Sequence, residues 1–285
     1  MRPARSRTLH FRTFCTRGPA LGIVILACLG GAKGQNSGDV SRSSRVTSGL
    51  QILYDFASPS GAIIQDRSEV GEPINLSISD AKAVQRSAGK LAVIGKTTIR
   101  SIKPAKKLIN AVRRSGALTI EAWVQPGNTK QAGPARIVTL SKNSSERNFT
   151  LGQVGDKYEV RLRTTRTSAN GIPAVASIGR TAGTKLTHIV YAYAKDGQAR
   201  LFVNSKSVAT SKVGGLPSNW NGSFELALAN EVSSDRPWQG TLHLVALYNR
   251  TLTPKEIAPN FAAGPDGTSV VEFNAKNDPG QTLFE

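Results

Sequence analysis

The chain has 285 residues, with 37 Lys and Arg against 19 Asp and Glu, and its formal charge of +18 suits contact with anionic glycans, lipids or nucleic acid. No zinc-finger spacing and no RNP-like aromatic strand accompanies the basic residues, which excludes the nucleic-acid readers built on those motifs. Cysteine occurs only at Cys15 and Cys28, so the remainder of the chain holds neither an internal disulfide nor thiolate chemistry.

MRPARSRTLHFRTFCTRG opens the chain with five arginines and no acid. PALGIVILACLGGA follows as a short apolar run, and Ala32-Lys33-Gly34 offers small residues where a signal peptidase cuts. The pattern predicts a secretory leader over residues 1–34. The apolar run is shorter than the roughly 20 residues that span a bilayer, and an uncleaved anchor is the alternative reading. Ala27-Cys28, late in that run, also fits a lipoprotein site with Cys28 as the lipidated residue. Arg2, Arg5, Arg7, Arg12, Arg17 and Lys33 account for six of the +18, so cleavage leaves a charge near +12. About 250 residues remain, enough for one large β domain.

Residues 35–48 form a serine-rich polar linker. From Leu50 the pattern changes: QILYDF, INLSI and KLAVI are short strand candidates separated by Gly- and Pro-containing turns. KPAKKLINAVRRSG suits a turn or two of helix with Leu108, Ile109 and Val112 on one side. The clusters Lys103/Lys106/Lys107 and Arg113-Arg114 read as a solvated basic face. In LTIEAWVQP, Leu118, Ile120, Ala122 and Val124 alternate with Thr119, Glu121 and Trp123, with Trp123 packed within its sheet. GPARIVTLS is a further strand, and RNFTLGQ with KYEVRLRTT shows the clearest alternation of half-buried antiparallel strands.

LTHIVYAYAKDGQARLFVNSKSVAT predicts a meander, turned first at Asp196-Gly197 and then at Asn204-Ser205-Lys206. Ala199, Leu201 and Val203 fall on one face of its middle strand. FELALANE and TLHLVALYNR are apolar on both faces, as central strands are. Thr253, Pro254 and Glu256 form a capping box that starts one short helix over residues 254–260. Residues 265–285 are a turn-rich tail in which VVEFNA could add an edge strand. About ten to thirteen strands with almost no helix point to an all-β sandwich of two antiparallel sheets, each covering the other's apolar face.

LTIEAWVQP, the meander and PWQGTLHLVALYNRTLTPKEI, in that order, resemble LamG-like jelly-roll domains of the concanavalin A-like lectin/glucanase superfamily. YDFASPSGAIIQDRS resembles their first strand and turn; GPARIV, RNFTLGQ and YEVRLRTT resemble the bacterial branch on secreted or surface proteins. The likeness covers about residues 50 to 263, which gives a domain over 49–264. It implies a two-sheet antiparallel jelly roll, a secreted or envelope location, and a non-catalytic binding or adhesion role. The implied partner is a glycan or cell-surface protein. No specific nucleic acid is expected, and membrane contact would come only through an N-terminal lipid or anchor. The alternatives are a structural envelope domain without a small ligand and, remotely, a glycan hydrolase. One departure is the second meander turn, NSK in place of a DG-type turn, which removes an acidic rim residue.

Fold alone does not choose among these roles. Glucanases of this superfamily carry alternating acids on one strand, of the type E-x-D-x-x-E, and no such run occurs here. GKLAVIGKT has five residues, where a phosphate loop has four, between the first Gly and Gly-Lys. It reads as two β segments separated by a glycine. His188 and His243 belong to no HExxH or GxSxG, and core or cross-strand packing is their expected role. The resemblance admits one Ca2+ ion, with Asp55 or Asp66 and the loop residues Asn230, Glu231 and Asp235 as oxygen donors. Ordinary turn chemistry is the other reading of those side chains. A sugar site needs an exposed aromatic platform beside amide or acid groups. Trp220, Asn221, Asn230, Asp235 and Trp238 would supply one if their loops converge; burial as core residues is the alternative.

Overall fold

The computed structural model describes residues 45–266. The expected leader, Cys28, and most of the linker and tail lie outside them. β1 (Leu50–Tyr54), β2 (Ile63–Ile64) and β3 (Leu76–Ile78) are followed by the hairpin β4 (Val84–Ser87) and β5 (Lys90–Val93). β6 (Ile99–Ser101) then leads into α1 (Lys106–Ser115). β7 (Leu118–Pro126), β8 (Ala135–Ser141), β9 (Arg147–Val154), β10 (Lys157–Leu162) and β11 (Val175–Ala176) come next. The meander is β12 (Thr187–Tyr193), β13 (Gln198–Val203) and β14 (Lys206–Lys212). β15 (Glu225–Leu228), β16 (Gly240–Tyr248) and α2 (Pro254–Ala263) complete the body.

The strands form two antiparallel sheets of eight. One runs β14-β13-β12-β7-β16-β5-β4, with β1 also on β16; the other runs β11-β10-β9-β8-β15-β6-β3-β2. Of the two β segments expected at GKLAVIGKT, β5 lies within it, while β6 begins at Ile99, just past its end, and belongs to the other sheet. The strands beyond the expected number include β2 and β11, of two residues each.

Between the sheets lies the main core. Ile189, Tyr191, Tyr193, Leu201, Ile120 and Leu247 meet Phe149, Leu151, Tyr158, Leu226 and Trp220 there. The meander's apolar face is thus covered by the opposite sheet. Its own sheet carries a smaller apolar layer on the outer side, where Trp123, Val190, Phe202, Leu244 and Tyr248 pack with Leu252 and Ile257 beside and on α2. Gly197 turns β12 into β13 with φ 86°, which a side chain rarely adopts. Asn204 and Ser205 both take positive φ, 49° and 63°, as a two-residue hairpin turn of this hand requires. Asn204 Oδ1 accepts from His188 N (2.9 Å) and so holds that turn without glycine.

Arg45 and Val46, read as linker, are part of the folded body. Val46 N donates to Asn260 Oδ1 (2.8 Å), and the Arg45 guanidinium bonds Gly264 O (2.6 Å) and Glu121. The C-terminal helix reaches Ala263, beyond the expected 260.

Candidate functional site

A cleft of about 700 Å³ opens where β3 begins, β6 ends and α1 begins. The two strands pair from Ile78↔Ile99 to Leu76↔Ser101 and then diverge. Residues 72–75 form one wall, residues 101–104 with Lys106 and Lys107 the other. Ser101 Oγ donates to Lys103 O (2.7 Å) and accepts from Leu226 N (3.1 Å), while Ala105 N donates to Phe224 O (3.1 Å). These bonds fix the approach to α1.

Behind the cleft sits Asp66, whose carboxylate accepts from Leu53 N, Ser68 N, Ile74 N and, at 2.7 Å, Lys107 Nζ. Burial alone would raise the Asp66 carboxyl; the Lys107 ammonium and the Ile74 and Ser68 N–H groups outweigh it and hold it below the usual carboxylate range. Lys107 is therefore a structural ion, not the solvated charge expected of it. Lys106 is exposed, and Lys103 meets Glu72 at 3.5 Å with both side chains in water. Asn75 accepts from Asp66 N (2.9 Å), and its amide NH2 has no partner among the described residues. Ile102, 71% exposed, adds an apolar surface beside the half-buried Pro104.

The expected aromatic platform is corrected. Trp220 and Trp238 are 2% and 0% exposed and belong to the main core. Trp220 Nε1 donates to Arg163 O (2.8 Å), and its ring lies 5.9 Å from that of Phe149. Trp238 Nε1 donates to Gln153 Oε1 (2.9 Å). Each indole satisfies its one donor inside the body, so neither offers a ring to a ligand. The two loops do not converge either: they meet β9 at Phe149 and at Gln153, roughly 13 Å apart along a strand. Asn221 is exposed, but its Oδ1 accepts from Ser223 N and Oγ, and its backbone pairs with Asn148.

The expected calcium donors are likewise spent. Asn230 Oδ1 accepts from Glu231 N and Arg236 N, and its amide donates to Thr97 O. Buried Glu231 accepts from Arg136 Nε (2.8 Å), Ser141 Oγ and Val232 N. Asp235 faces outward onto Ser233 and Arg236, and Asp55 is held elsewhere by Arg67. N–H donors and guanidinium groups occupy the oxygens a Ca2+ ion would need, so this set does not fit the ion. No group of three His, Cys, Asp or Glu suited to a metal occurs among the described residues.

A second polar centre escaped the sequence reading. Glu121, on the outer face of β7, is fully buried under α2. It accepts from Asn260 Nδ2 (2.8 Å), meets His188 Nε2 (2.9 Å) and Tyr248 Oη (3.2 Å), and pairs with Arg45. Burial pushes its carboxyl up, but the His188 and Arg45 contacts prevail and hold it at about 2. Trp123 stacks on His188 (4.7 Å) and Phe261 (5.6 Å), so His188 packs across strands as well as meeting Glu121.

Sequence comparison bears on the whole arrangement: the profile of the Laminin_G_3 family matches residues 103–258, more than half of the chain. The chain belongs to this family of the concanavalin A-like lectin/glucanases superfamily. No curated protein matches the sequence. Among solved structures, the Laminin_G_3 chain is similar to the binding domain of botulinum neurotoxin DC in complex with rat synaptotagmin II. That likeness has 15% identity and a TM-score of 0.57, over 76% of this chain and 52% of that one. It is also similar to Trypanosoma rangeli sialidase, with 17% identity and a TM-score of 0.57, over 76% of this chain and 33% of that one. The botulinum neurotoxin serotype C1 binding domain matches with 14% identity and a TM-score of 0.56, over 77% and 53%. The chain spans about half the length of the neurotoxin chains it matches. Likeness at these identities shows the jelly-roll fold alone.

Proposed function

We propose that this Laminin_G_3 chain is a non-catalytic extracellular binding module that takes a glycan in the cleft beside α1. The observation that carries the reading is the cleft itself. Its size suits a small saccharide, and it combines lysine and amide donors with the apolar surface of Ile102. Glycoside hydrolysis needs two carboxylates roughly 5 to 10 Å apart across the bond. Glu72 is the one acid among the described lining residues. The neurotoxin binding domain, solved with SialylT and with synaptotagmin II, supports a glycan or cell-surface protein as partner for this architecture. A glycan-array screen of the full chain tests the proposal. Binding that falls in Ile102→Asp is expected, and silence on every glycan or release of a hydrolysed product would overturn it.

The burial of Trp220 and Trp238 favours a second reading, a structural envelope domain without a small ligand. Silence on the array would select it. For location we propose export through the leader of residues 1–34, cleaved after Gly34 or leaving a lipid on Cys28. No helix among the described residues is long and apolar enough to cross a membrane. Intact mass of protein recovered from its own cell decides this. A full mass in the soluble cytoplasmic fraction would overturn it, and a full mass in the membrane fraction would identify an uncleaved anchor.

A further inference from the structure

We infer that the α1 cleft selects saccharides bearing an anionic group, a carboxylate or a sulfate, and seats that group between Lys103 and Lys106. The inference rests on the glycan-binding reading and adds the ligand's chemistry to it.

The three lysines at the cleft are not equivalent. Lys107 Nζ gives its donors to Asp66, Ser68 and Val70 and has none to spare. The ion pairs of the cleft use Lys103 and Lys107 and leave Lys106 without one among the described residues. The Lys103–Glu72 pair spans 3.5 Å, and its side chains are 79% and 80% exposed. Such a pair contributes little, so a ligand anion can displace Glu72 from Lys103. Lys103, Lys106 and Glu72 all line the opening, so its lining carries more exposed positive than negative charge. The first turn of α1 contains no acid to oppose an incoming anion, and Ala105 caps it with no side-chain hydrogen bond.

The rest of the lining suits the neutral part of a sugar. The Asn75 amide can donate to a ring hydroxyl, and Ile102 can cover the C–H face of the ring. A neutral saccharide would use those two contacts only, leaving both lysines to water. An acidic one would add charge-assisted hydrogen bonds, which are the stronger kind.

Isothermal titration of the full chain in about 150 mM salt separates the possibilities, since loose surface attraction is largely screened there. The probes are a uronic-acid disaccharide, a sulfated disaccharide and their neutral counterpart. At least one acidic probe should bind about 10-fold tighter than the neutral one, and the two acidic arms tell carboxylate from sulfate. Lys103→Ala and Lys106→Ala should each weaken that binding about 5-fold or more, while Glu72→Gln should strengthen it. Lys206→Ala, which removes the same charge from the exposed first residue of β14, should leave it unchanged. An equal loss in Lys206→Ala would reduce the effect to net charge and overturn the inference. Equal binding of neutral and acidic probes, indifferent to Lys106→Ala but lost in Ile102→Asp, would overturn anion selection while glycan binding stands. Lys106-dependent binding of anionic lipid vesicles without any saccharide binding would assign the cleft to a membrane surface and overturn both. No binding of any probe would also sink both.

Discussion

Trp220 shows how a residue chosen for one role serves another. Its indole is buried between the sheets, with its N–H bonded to Arg163 O at 2.8 Å. Truncating a large aromatic in such a core costs about 3 to 5 kcal/mol. Trp220→Ala should lower urea stability by that amount and leave glycan affinity per folded molecule unchanged; a stable variant that no longer binds would restore the aromatic-platform role. The sequence could not decide this, because the groups holding Trp220, Arg163 and Phe149, are 57 and 71 residues away. Glu121 was equally opaque. It alternates with core residues as a solvent-facing acid should, yet α2, Arg45, His188 and Tyr248, all remote in sequence, enclose it. Its folded pKa of about 2 lies below the roughly 4.3 of an unfolded Glu. Its stabilisation is therefore full above about pH 4.3 and is lost as pH falls towards 2. In Glu121→Gln that part of the acid slope should disappear from a plot of urea midpoint against pH, and stability at neutral pH should fall by about 3 kcal/mol, since Arg45 loses its counter-ion. An unchanged acid slope would remove Glu121 from the pH response.

At the scale of elements, what could be read was what is local. The Asp196-Gly197 turn, the alternation of β10 and the Thr253/Glu256 capping box each have their partner within a few residues, and each stands as expected. The assignment of β5 to one sheet and β6 to the other has no such local mark, and neither does the cleft made where β3 and β6 part. Lys103, Lys106 and Lys107 were visible as a cluster, but only Asp66, some forty residues earlier, separates the buried lysine from its exposed neighbours. The strap at residues 45–49 is non-local too. Arg45 reaches Glu121 and Gly264, Tyr248 Oη donates to Val46 O (3.2 Å), and Arg250 Nε donates to Ser48 O (2.7 Å). These contacts tie the strap to β7, β16 and the end of α2. Arg45→Ala should speed amide hydrogen exchange in the last turn of α2 and in β1 while β9 and β10, in the other sheet, keep their protection. Uniform acceleration across both sheets would mean that Arg45 acts on global stability and not as a local fastening.

For the whole molecule, the question is whether the layer under α2 is a separate unit or part of one cooperative body. The two apolar layers share their strands: Leu118, Ile120 and Val124 of β7 face the main core while Trp123 of the same strand faces α2. β12 does the same with Tyr191 inward and Val190 outward, and β16 with Leu247 inward and Ala246 outward. Losing one layer would strip those strands on one side, so neither layer should melt alone. The three tryptophans report on both, Trp123 from the α2 side and Trp220 and Trp238 from between the sheets. No disulfide contributes, since the only cysteines, Cys15 and Cys28, precede residues 45–266. Thermal unfolding followed by tryptophan fluorescence and by far-UV circular dichroism should therefore give superimposable transitions, unmoved by reductant. The same should hold in Trp220→Phe, where Trp123 contributes a larger share of the signal. A fluorescence change at lower temperature than the loss of β signal would show that the α2 layer detaches before the sandwich opens.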